Sequence, residues 1–372
     1  MSKTKLSRSE TLSNIILNHS ICIKPGEKFL ISASDFSSQE LLLPLYREAI
    51  KMGAVVQLDI FSSMLSVGRA DYGGFLEEYY QHSSNSQLEE TEVHEFLTDW
   101  ADKTIRIVSI HNKKFLESID GNKIALRQAA LRPISDRALL KPWTLTYYPT
   151  MALARNAGMS LKKFTEFYYN ACNIDYLAMD KAILPLQNIL DKGKTVHIKG
   201  NGIDLKLGID QRLALGVDNG KHNIPDGECF LGPEEGQTDG YVDFPLPQIY
   251  NGKEVSKIHL EFKKGKLTKY SSKTNMAFLK QLLESNEGNK RLGEFGIGMN
   301  RNITKYIKDI LFDEKIYGTV HFALGMAYPY ERGGGKNKAT IHWDLIKDLR
   351  HQGSVISVDG KVIFKDGQTV YN

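Results

Sequence analysis

Apolar, strand-like runs alternate with helix-like segments through the first half of the chain, and this alternation restricts the folds available to it. Strands separated by helices favour a parallel sheet that is covered by those helices. The pattern predicts strands at residues 28–32, 55–60, 104–110 and 144–148. It predicts helices at residues 7–21, 39–52, 122–139 and 161–192. Ser9 is the expected cap of the first helix, and the whole segment is expected to be an α/β domain with a parallel sheet.

The pattern changes after Gly193, which follows the last of these helix-like segments. Short strand-like runs then succeed one another, separated by Gly, Asn and Asp turns, and Asp359-Gly360 is a hairpin signal. The runs lie at residues 195–199, 204–208, 258–262, 338–344, 354–358 and 362–365. Helix-like segments lie at residues 275–284 and 303–311. We therefore predict two domains, an α/β N-terminal domain at residues 1–192 and an α+β domain with a strongly bent sheet at residues 193–372.

The composition is that of an ordinary globular protein and excludes several classes of function. The 372 residues are 41% hydrophobic and 25% charged, with a net charge of +4. So small a charge does not indicate a nucleic-acid or membrane partner. No apolar run approaches the roughly 20 residues of a membrane helix, and the N-terminus lacks the apolar core of a secretory signal. Three widely spaced cysteines cannot form a disulfide framework, so we expect a protein of the reducing cytoplasm.

Side chains of the types that bind metal ions gather in the second half, in glycine-bounded or apolar contexts. Glu228 follows a glycine turn, and Glu294 lies inside the glycine-rich apolar run at residues 293–298. A buried carboxylate is costly unless it is paired, hydrogen-bonded or bound to a metal. His342 and Asp344 are two residues apart. On an extended strand their side chains therefore point to the same face, where an imidazole and a carboxylate can share one metal ion.

Taken singly, these residues also have ordinary structural explanations. A lone histidine such as His321 is more often a core residue with a backbone partner than a metal ligand. Glu294 can form an ion pair with Arg291 or Lys290. Their combination favours a metal centre, because two glutamates, one aspartate and two histidines are the ligand mixture expected for two adjacent divalent cations that share a carboxylate.

The order of these motifs resembles the family of aminopeptidases T and S, co-catalytic metalloaminopeptidases that are also called thermophilic metalloproteases. The shared blocks are Asn-x-Pro-x-Gly-Glu, Gly-Glu, Asp-Glu, His-x-Ala-Leu-Gly-x-Ala-Tyr-Pro, His-x-Asp and a C-terminal Asp-Gly hairpin. They cover residues 223–372, whereas the first half agrees in general layout only. The resemblance implies these metal ligands: Glu228, Glu294, His321, His342 and Asp344, with Glu314 at an acidic position sometimes counted with them. It also implies that Tyr328, seven residues after His321, is catalytic.

The resemblance further implies an activity for the second domain. That activity is the hydrolysis of N-terminal residues from peptides through a metal-activated water, with two divalent ions (Zn²⁺, Co²⁺ or Mn²⁺) as cofactors. Tyr328 would then donate a hydrogen bond to the developing oxyanion. A carboxylate would accept the proton of the water, and the sequence does not separate Glu228 from Glu294 for this role. Because the matched ligands all lie in the second domain, that domain is predicted to be the catalytic, metal-binding one. The resemblance also implies a homodimer.

Two other functions are compatible with the same residues. Ring-cleaving dioxygenases that act on dihydroxypyridines resemble relatives of this family and use one Fe(II) bound by two histidines and one carboxylate. The matching residues here are His321, His342 and Asp344. Such a site has no need of Glu228, Glu294 or Tyr328, so their presence favours the peptidase. A non-catalytic binding protein with this fold would be expected to have lost ligands, and none is lost.

Overall fold

A computed structural model describes residues 6–60, 74–111, 119–210, 215–328 and 333–371. The described helices are α1 (Arg8–Ile15), α2 (Gln39–Lys51), α3 (Phe75–His82), α4 (Asn85–Glu89), α5 (Glu92–Trp100), α6 (Gly121–Ala138), α7 (Met151–Asn156), α8 (Leu161–Cys172), α9 (Tyr176–Lys192), α10 (Met276–Glu284) and α11 (Ile310–Asp313). The described strands are β1 (Lys28–Ala33), β2 (Val55–Ile60), β3 (Lys103–Ser109), β4 (Trp143–Tyr148), β5 (Thr195–Gly200), β6 (Ile203–Gly208), β7 (Gly216–Asp218), β8 (Asn223–Ile224), β9 (Glu228–Leu231), β10 (Thr238–Phe244), β11 (Gln248–Tyr250), β12 (Lys253–Val255), β13 (Ile258–Lys263), β14 (Lys266–Ser271), β15 (Leu292–Gly298), β16 (Thr319–Gly325), β17 (His342–Asp348), β18 (Val355–Val358), β19 (Lys361–Lys365) and β20 (Gln368–Thr369).

The chain folds into two compact units, each formed from two segments of the sequence. The first unit consists of Met1–Ile174 and Gly220–Pro225, and the second of Asp175–Asn219 and Asp226–Asn372. None of the helices within the described ranges has the length and apolarity that a bilayer span requires.

The first unit has a parallel sheet of five strands in the order β2-β1-β3-β4-β8. Its central strands read as nearly continuous apolar runs because helices cover both faces of a parallel sheet. Phe29, Ile31, Ile105 and Ile107 are accordingly buried. The predicted α/β architecture of the N-terminal half is confirmed.

Two predictions about the helices of the N-terminal half are wrong in detail. Ser7, and not Ser9, caps α1, because its hydroxyl accepts the backbone N–H of Glu10 while the Glu10 carboxylate accepts the N–H of Ser7. Ser9 is instead buried and shares a hydrogen bond of 2.8 Å with the hydroxyl of Tyr169. The predicted helix at 161–192 is two helices, α8 and α9, with the first ending at Cys172.

The second unit contains two antiparallel sheets and the hairpin β11–β12. The larger sheet has the order β14-β13-β10-β6-β5-β18-β19-β20, and the smaller one the order β17-β16-β15-β9-β7. Helix α9 belongs to this unit because its apolar side chains, Ile183, Leu186 and Leu190, join the core that the strands form. The compact units thus divide before α9. The predicted domains at residues 1–192 and 193–372 remain a prediction.

The prediction of a helix at residues 303–311 is wrong, although its apolar residues Ile303 and Ile307 are buried. The carboxylate of Asp313 accepts the backbone N–H groups of Ile307 and Asp309, both at 2.8 Å. A side chain that satisfies backbone amides locally competes with helical hydrogen bonds, and only the short α11 forms here. The strand predicted at 338–344 also lies later in the chain, at His342–Asp348.

Candidate metal centre

The predicted ligands lie on four adjacent strands of the smaller sheet in the second unit. Glu228 lies on β9, Glu294 on β15, His321 on β16, and His342 and Asp344 on β17. Residues paired across antiparallel strands point to the same face, and successive residues of a strand alternate between faces. The pairings Glu294↔Ala323, Ala323↔Asp344, Gly296↔His321, Gly325↔His342 and Gly298↔Glu228 therefore place all five predicted ligands on one face, which we call the ligand face.

The residues between these ligands point to the opposite face and form the apolar core of the unit. Phe295 and Phe322 stack with their ring centroids 5.7 Å apart, and Trp343 is buried beside them in the same core. The alternation of polar and apolar residues along each strand thus anchors the ligand face to a packed interior.

Glycine is required at one position of the ligand face. A Cβ atom built on Gly296 would lie 2.0 Å from Nε2 of His321, which is far inside van der Waals contact. The imidazole of His321 therefore lies directly over the backbone of β15, and it can do so because residue 296 has no side chain.

The ligand atoms form two groups that share Glu294. Nε2 of His321 lies 3.1 Å from Oε1 of Glu294 and 3.3 Å from Oε2 of Glu228. Nε2 of His342 lies 3.4 Å from Oε2 of Glu294 and 3.3 Å from Oδ1 of Asp344. In each group one ligand atom per residue lies within 4.8 Å of the others. Glu294 thus presents one oxygen to each histidine.

Both histidines are oriented by backbone carbonyls. Nδ1 of His321 donates to the carbonyl oxygen of Glu314 at 3.2 Å, and Nδ1 of His342 donates to that of Met326 at 2.7 Å. A proton on Nδ1 leaves Nε2 as the nitrogen that can bind a metal. In both residues Nε2 is the atom that points to the carboxylates.

The carboxylate oxygens of this site fit a bound cation. Oε2 of Glu228, Oε2 of Glu294 and Oδ1 of Asp344 are inaccessible to solvent and accept no hydrogen bond from any residue that the structure describes. Such oxygens are rare in proteins because burial without a partner is costly. Carboxylate oxygens and imidazole nitrogens together are a common donor set for divalent transition ions.

The electrostatic field of the ligand face is strongly negative. Burial alone would lower the pKa of His321, but the carboxylates of Glu228 and Glu294 raise it to about 9. Burial would also lower the pKa of His342, but the nearby carboxylates, chiefly that of Asp344, raise it to about 11. Burial raises the pKa of Asp344, yet His342 lowers it to about 2. A field that stabilises positive charge on two buried imidazoles also attracts cations.

Glu314 does not lie in either of these two groups. Its carboxylate accepts a short hydrogen bond from the ammonium of Lys315, and its carbonyl oxygen orients His321. The assignment of Glu314 as a metal ligand remains a prediction.

Three residues that the sequence reasoning missed lie beside the centre. Asp218 and Asp226 form a third acidic group with Glu228, in which oxygens lie within 4.8 Å of one another. The side chain of Lys315 is completely buried there, with Nζ 3.1 Å from Oε1 of Glu228 and 3.7 Å from Oδ1 of Asp226. Burial lowers the pKa of Lys315, but these carboxylates and that of Glu314 raise it well above its ordinary value. Asp226 lies within the Asn-x-Pro-x-Gly-Glu block, and Lys315 directly follows the Asp-Glu block. This is the only sequence signal for either residue.

Tyr328 is half-buried next to the second group of ligands. Its ring centroid lies 5.2 Å from that of His342 and 5.3 Å from that of Phe230. Gly333 is adjacent, since a Cβ there would lie 3.7 Å from Cβ of Tyr328. The structure therefore brings Tyr328 to the ligand face, and its catalytic role remains a prediction.

A family model described as thermophilic metalloprotease (M29) matches residues 6–369. The chain belongs to the M29 family. The resemblance inferred from the order of the motifs is thereby confirmed, and the match extends to the first half, where those motifs are absent.

Curated relatives of the M29 chain include aminopeptidases of several bacteria. Aminopeptidase AmpS of Bacillus subtilis is 28% identical over 207 residues, which are 47% of this chain and 49% of AmpS. Aminopeptidase 2 of Geobacillus stearothermophilus is 31% identical over 172 residues, 40% of each chain. The chain thus spans about half, or less, of the length of the curated relatives it matches.

Solved structures similar to the M29 chain show its fold over nearly the whole length. Wild-type AmpT from Thermus thermophilus matches with a TM-score of 0.81 at 19% identity and covers 98% of this chain and 99% of AmpT. The 2,5-dihydroxypyridine dioxygenase from Pseudomonas putida matches with a TM-score of 0.58 at 15% identity over 99% of each chain. At these identities both structures show the fold alone.

The first prediction concerns Gly296. In Gly296→Ala the new Cβ displaces the imidazole of His321, so we expect less bound divalent metal and a free energy of unfolding lowered by about 1–3 kcal/mol, as for other overpacked sites. Metal analysis of the purified variant and urea denaturation measure the two effects.

Gly121→Ala is the matched control, because a Cβ on Gly121, the first residue of α6, meets no atom within 4 Å. The control should keep the metal content and stability of the wild type. A Gly296→Ala protein indistinguishable from this control would contradict the described position of His321.

Proposed function

We propose that the chain is a metal-dependent aminopeptidase that removes N-terminal residues from peptides. The observation that carries this proposal is the position of Glu294, which presents one oxygen to each of two three-ligand groups. A carboxylate shared in this way is typical of two divalent ions a few ångströms apart, the arrangement found in aminopeptidases and other two-metal hydrolases. The curated relatives are named as aminopeptidases, which agrees with this proposal.

The charge of the site supports two ions rather than one. Six carboxylates gather in this part of the second unit: Asp218, Asp226, Glu228, Glu294, Glu314 and Asp344. When ionised they carry six negative charges, of which Lys315 neutralises one. Two divalent ions bound to neutral histidines would leave one negative charge, whereas a single ion beside one neutral and one protonated histidine would leave two in a buried site, at a greater cost in free energy. Mixed oxygen and nitrogen ligands suit Zn²⁺, Co²⁺ or Mn²⁺.

The side chains of the site have distinct parts in this proposal. Divalent ions bound here would polarise the scissile carbonyl and lower the pKa of water. The two histidines and Asp344 hold their ligand atoms in place through backbone hydrogen bonds and mutual contacts. Tyr328, whose ring packs on His342, would donate a hydrogen bond from its hydroxyl to the oxyanion that develops on the substrate.

We also propose a peptide substrate with a free α-amine, a cytoplasmic location and a homodimeric assembly. The three cysteines, Cys22, Cys172 and Cys229, are free, which suits a reducing compartment. The homodimer rests on the resemblance to aminopeptidases T and S. Metal analysis combined with a panel of aminoacyl-anilide substrates tests the activity and identifies the preferred N-terminal residue.

A dioxygenase function is the second candidate, because a 2,5-dihydroxypyridine dioxygenase shares the fold. A mononuclear iron site requires two histidines and one carboxylate around a single ion. Here the neighbours of His321 are Glu228 and Glu294, while His342 and Asp344 belong to the other group. This separation favours the two-metal peptidase.

Glu294→Ala should abolish peptide hydrolysis and lower the amount of bound metal, because one substitution removes a ligand from both groups. Glu294→Gln, which keeps the shape of the side chain, should show the same losses with less disturbance of the fold. Metal content and the rate on aminoacyl-anilides are measured on the same preparations.

Glu261→Ala is the control for a lost carboxylate in the same unit, since Glu261 pairs with His259 and Lys269 away from the ligand face. This variant should retain the metal content and the hydrolytic rate of the wild type. Wild-type metal stoichiometry and rate in Glu294→Ala would refute the assignment of the shared ligand.

Oxygen dependence separates the two candidate functions. A chelated and reconstituted peptidase should recover its activity with Zn²⁺ or Co²⁺ under nitrogen, because hydrolysis consumes no oxidant. The measurement is the hydrolytic rate in the presence and absence of air, with Fe²⁺ as the alternative metal. Activity that depends strictly on Fe²⁺ and O₂ would favour the dioxygenase.

Tyr328→Phe tests the proposed oxyanion donor while it keeps the aromatic ring. Loss of one such donor lowers kcat by about 10²–10³-fold, and KM should change little because the bond forms mainly in the transition state. Metal content and melting temperature should stay at the wild-type values.

The control for a lost tyrosine hydroxyl is Tyr250→Phe, because Tyr250 packs against Trp343 in the apolar core. If the hydroxyl of Tyr328 only stabilises the fold, its removal should cost about 1 kcal/mol of stability and leave kcat unchanged. That result would refute a catalytic role for Tyr328.

A further inference from the structure

Lys315 is a buried cation that the metal-ligand pattern does not account for. It follows α11 and precedes β16, and its side chain is completely shielded from solvent. Its ammonium contacts three carboxylates, those of Glu228, Asp226 and Glu314. An ammonium surrounded by carboxylate oxygens in the interior occupies the kind of environment that also suits a metal ion.

The acidic group around this ammonium has the composition of a cation site. Asp218, Asp226 and Glu228 each direct an oxygen to within 4.8 Å of the others, and the three residues are at most 4% exposed. Clustered carboxylate oxygens are the donors that Mn²⁺, Mg²⁺ and Ca²⁺ prefer. Lys315 Nζ lies 3.1 Å from one of these residues and 3.7 Å from another, so the ammonium fills the position between them.

The two oxygens of Glu228 consequently have different neighbours. Oε1 lies against the ammonium of Lys315, whereas Oε2 lies 3.3 Å from Nε2 of His321 and accepts no hydrogen bond from any described residue. The ammonium thereby fixes the rotation of the carboxylate and directs a single oxygen to the ligand face.

We propose that Lys315 is a resident cation of the centre, whose ammonium fills the third acidic group, keeps an additional metal ion out of it and positions Glu228 as a one-oxygen ligand. Lys315 is therefore a positioning residue. The last part of the proposal rests on the proposed metal centre, whereas the occupation of the third acidic group does not.

The physical basis is the cost of buried charge. Removing one partner of a buried ion pair is strongly destabilising, because the remaining charge is left without compensation. In Lys315→Ala several carboxylates lose their counter-charge, and the space of the missing side chain opens beside them. A divalent ion with oxygen ligands can restore the compensation. The stability of the folded variant should therefore depend on a metal ion bound at the position of the missing ammonium.

The experiment compares full-length wild type, Lys315→Ala and Lys347→Ala. Lys347 is a matched control because it is also buried in this unit, on β17, but donates to the backbone carbonyl oxygens of Asn201, Gly202 and Asp243. Each protein is freed of metal with a chelator and titrated with Mn²⁺. Electron paramagnetic resonance of the free ion gives the number bound per chain, and melting temperatures are recorded with and without Mn²⁺.

We expect Lys315→Ala to bind one more Mn²⁺ per chain than the wild type, and its melting temperature to rise with Mn²⁺ by more than that of the other two proteins. Lys347→Ala should bind the wild-type number. An unchanged number in Lys315→Ala, together with a metal-dependent shift no larger than that of Lys347→Ala, would overturn the proposal.

A double variant keeps the test decisive if Lys315→Ala does not fold without metal. Lys315→Met combined with Asp226→Asn removes the ammonium and one carboxylate together. Its melting temperature without metal should exceed that of Lys315→Met alone, because less negative charge remains uncompensated. A melting temperature no higher than that of Lys315→Met would refute the proposal that Lys315 is a resident cation.

The outcomes also separate this proposal from the proposed function. A wild-type protein that binds no Mn²⁺, Zn²⁺ or Co²⁺ would refute the metalloaminopeptidase, yet the gain of one ion in Lys315→Ala would still support the resident cation. A wild type that binds two ions, with a Lys315→Ala variant that also binds two and whose melting temperature rises with Mn²⁺ no more than that of Lys347→Ala, would leave the aminopeptidase intact and refute the role of Lys315.

Discussion

Buried negative charge is the constraint on which the second unit depends. Asp226, Glu228 and Glu294 are each at most 4% exposed, and carboxylates in such places are stable only beside positive charge or hydrogen-bond donors. The surrounding structure meets this requirement in two ways. Nε2 atoms of two histidines point at Glu228, Glu294 and Asp344, and the ammonium of Lys315 lies against the other oxygen of Glu228. The apolar face of the same sheet supplies the packing that holds these charged groups in place.

The parts of the fold that follow from short-range pattern could be predicted from the sequence. The parallel α/β order of the first half emerges from the alternation of apolar, strand-like runs with helix-like segments. The strands that carry Glu228 and His321 are not among the predicted ones, because both are buried along their whole length and lack an alternating pattern. The grouping of the predicted ligands follows the same rule, since alternation along β15, β16 and β17 sends them to one face. What spacing alone could not supply is which ligands share a group, because this depends on the register between strands.

The sequence-based predictions fail where a side chain takes hydrogen bonds that the backbone would otherwise make, or where residues distant in sequence decide whether a side chain is buried. Ile303 and Ile307 have helical spacing, but the carboxylate of Asp313 takes up the amides that a helix would need. The only sequence signal for Lys315 is its place directly after the Asp-Glu block, and a lysine there is by itself expected to be exposed. Only the three-dimensional structure shows that its side chain is enclosed by carboxylates from β9 and the loop before it.

The alternation along the ligand face has a consequence for the evolution of the fold. Each ligand occupies a position on the ligand face of a strand whose neighbouring residues are anchored in the apolar core on the opposite face, so a ligand can be gained or lost by one substitution while the core continues to hold the strand. Gly296 marks a position where a new side chain is refused, since a Cβ there would lie 2.0 Å from Nε2 of His321. A sheet of this kind is a scaffold on which the number of bound ions, and with it the chemistry, can drift while the architecture stays the same. The shared fold of a protein named as an aminopeptidase and one named as a dioxygenase agrees with such a history.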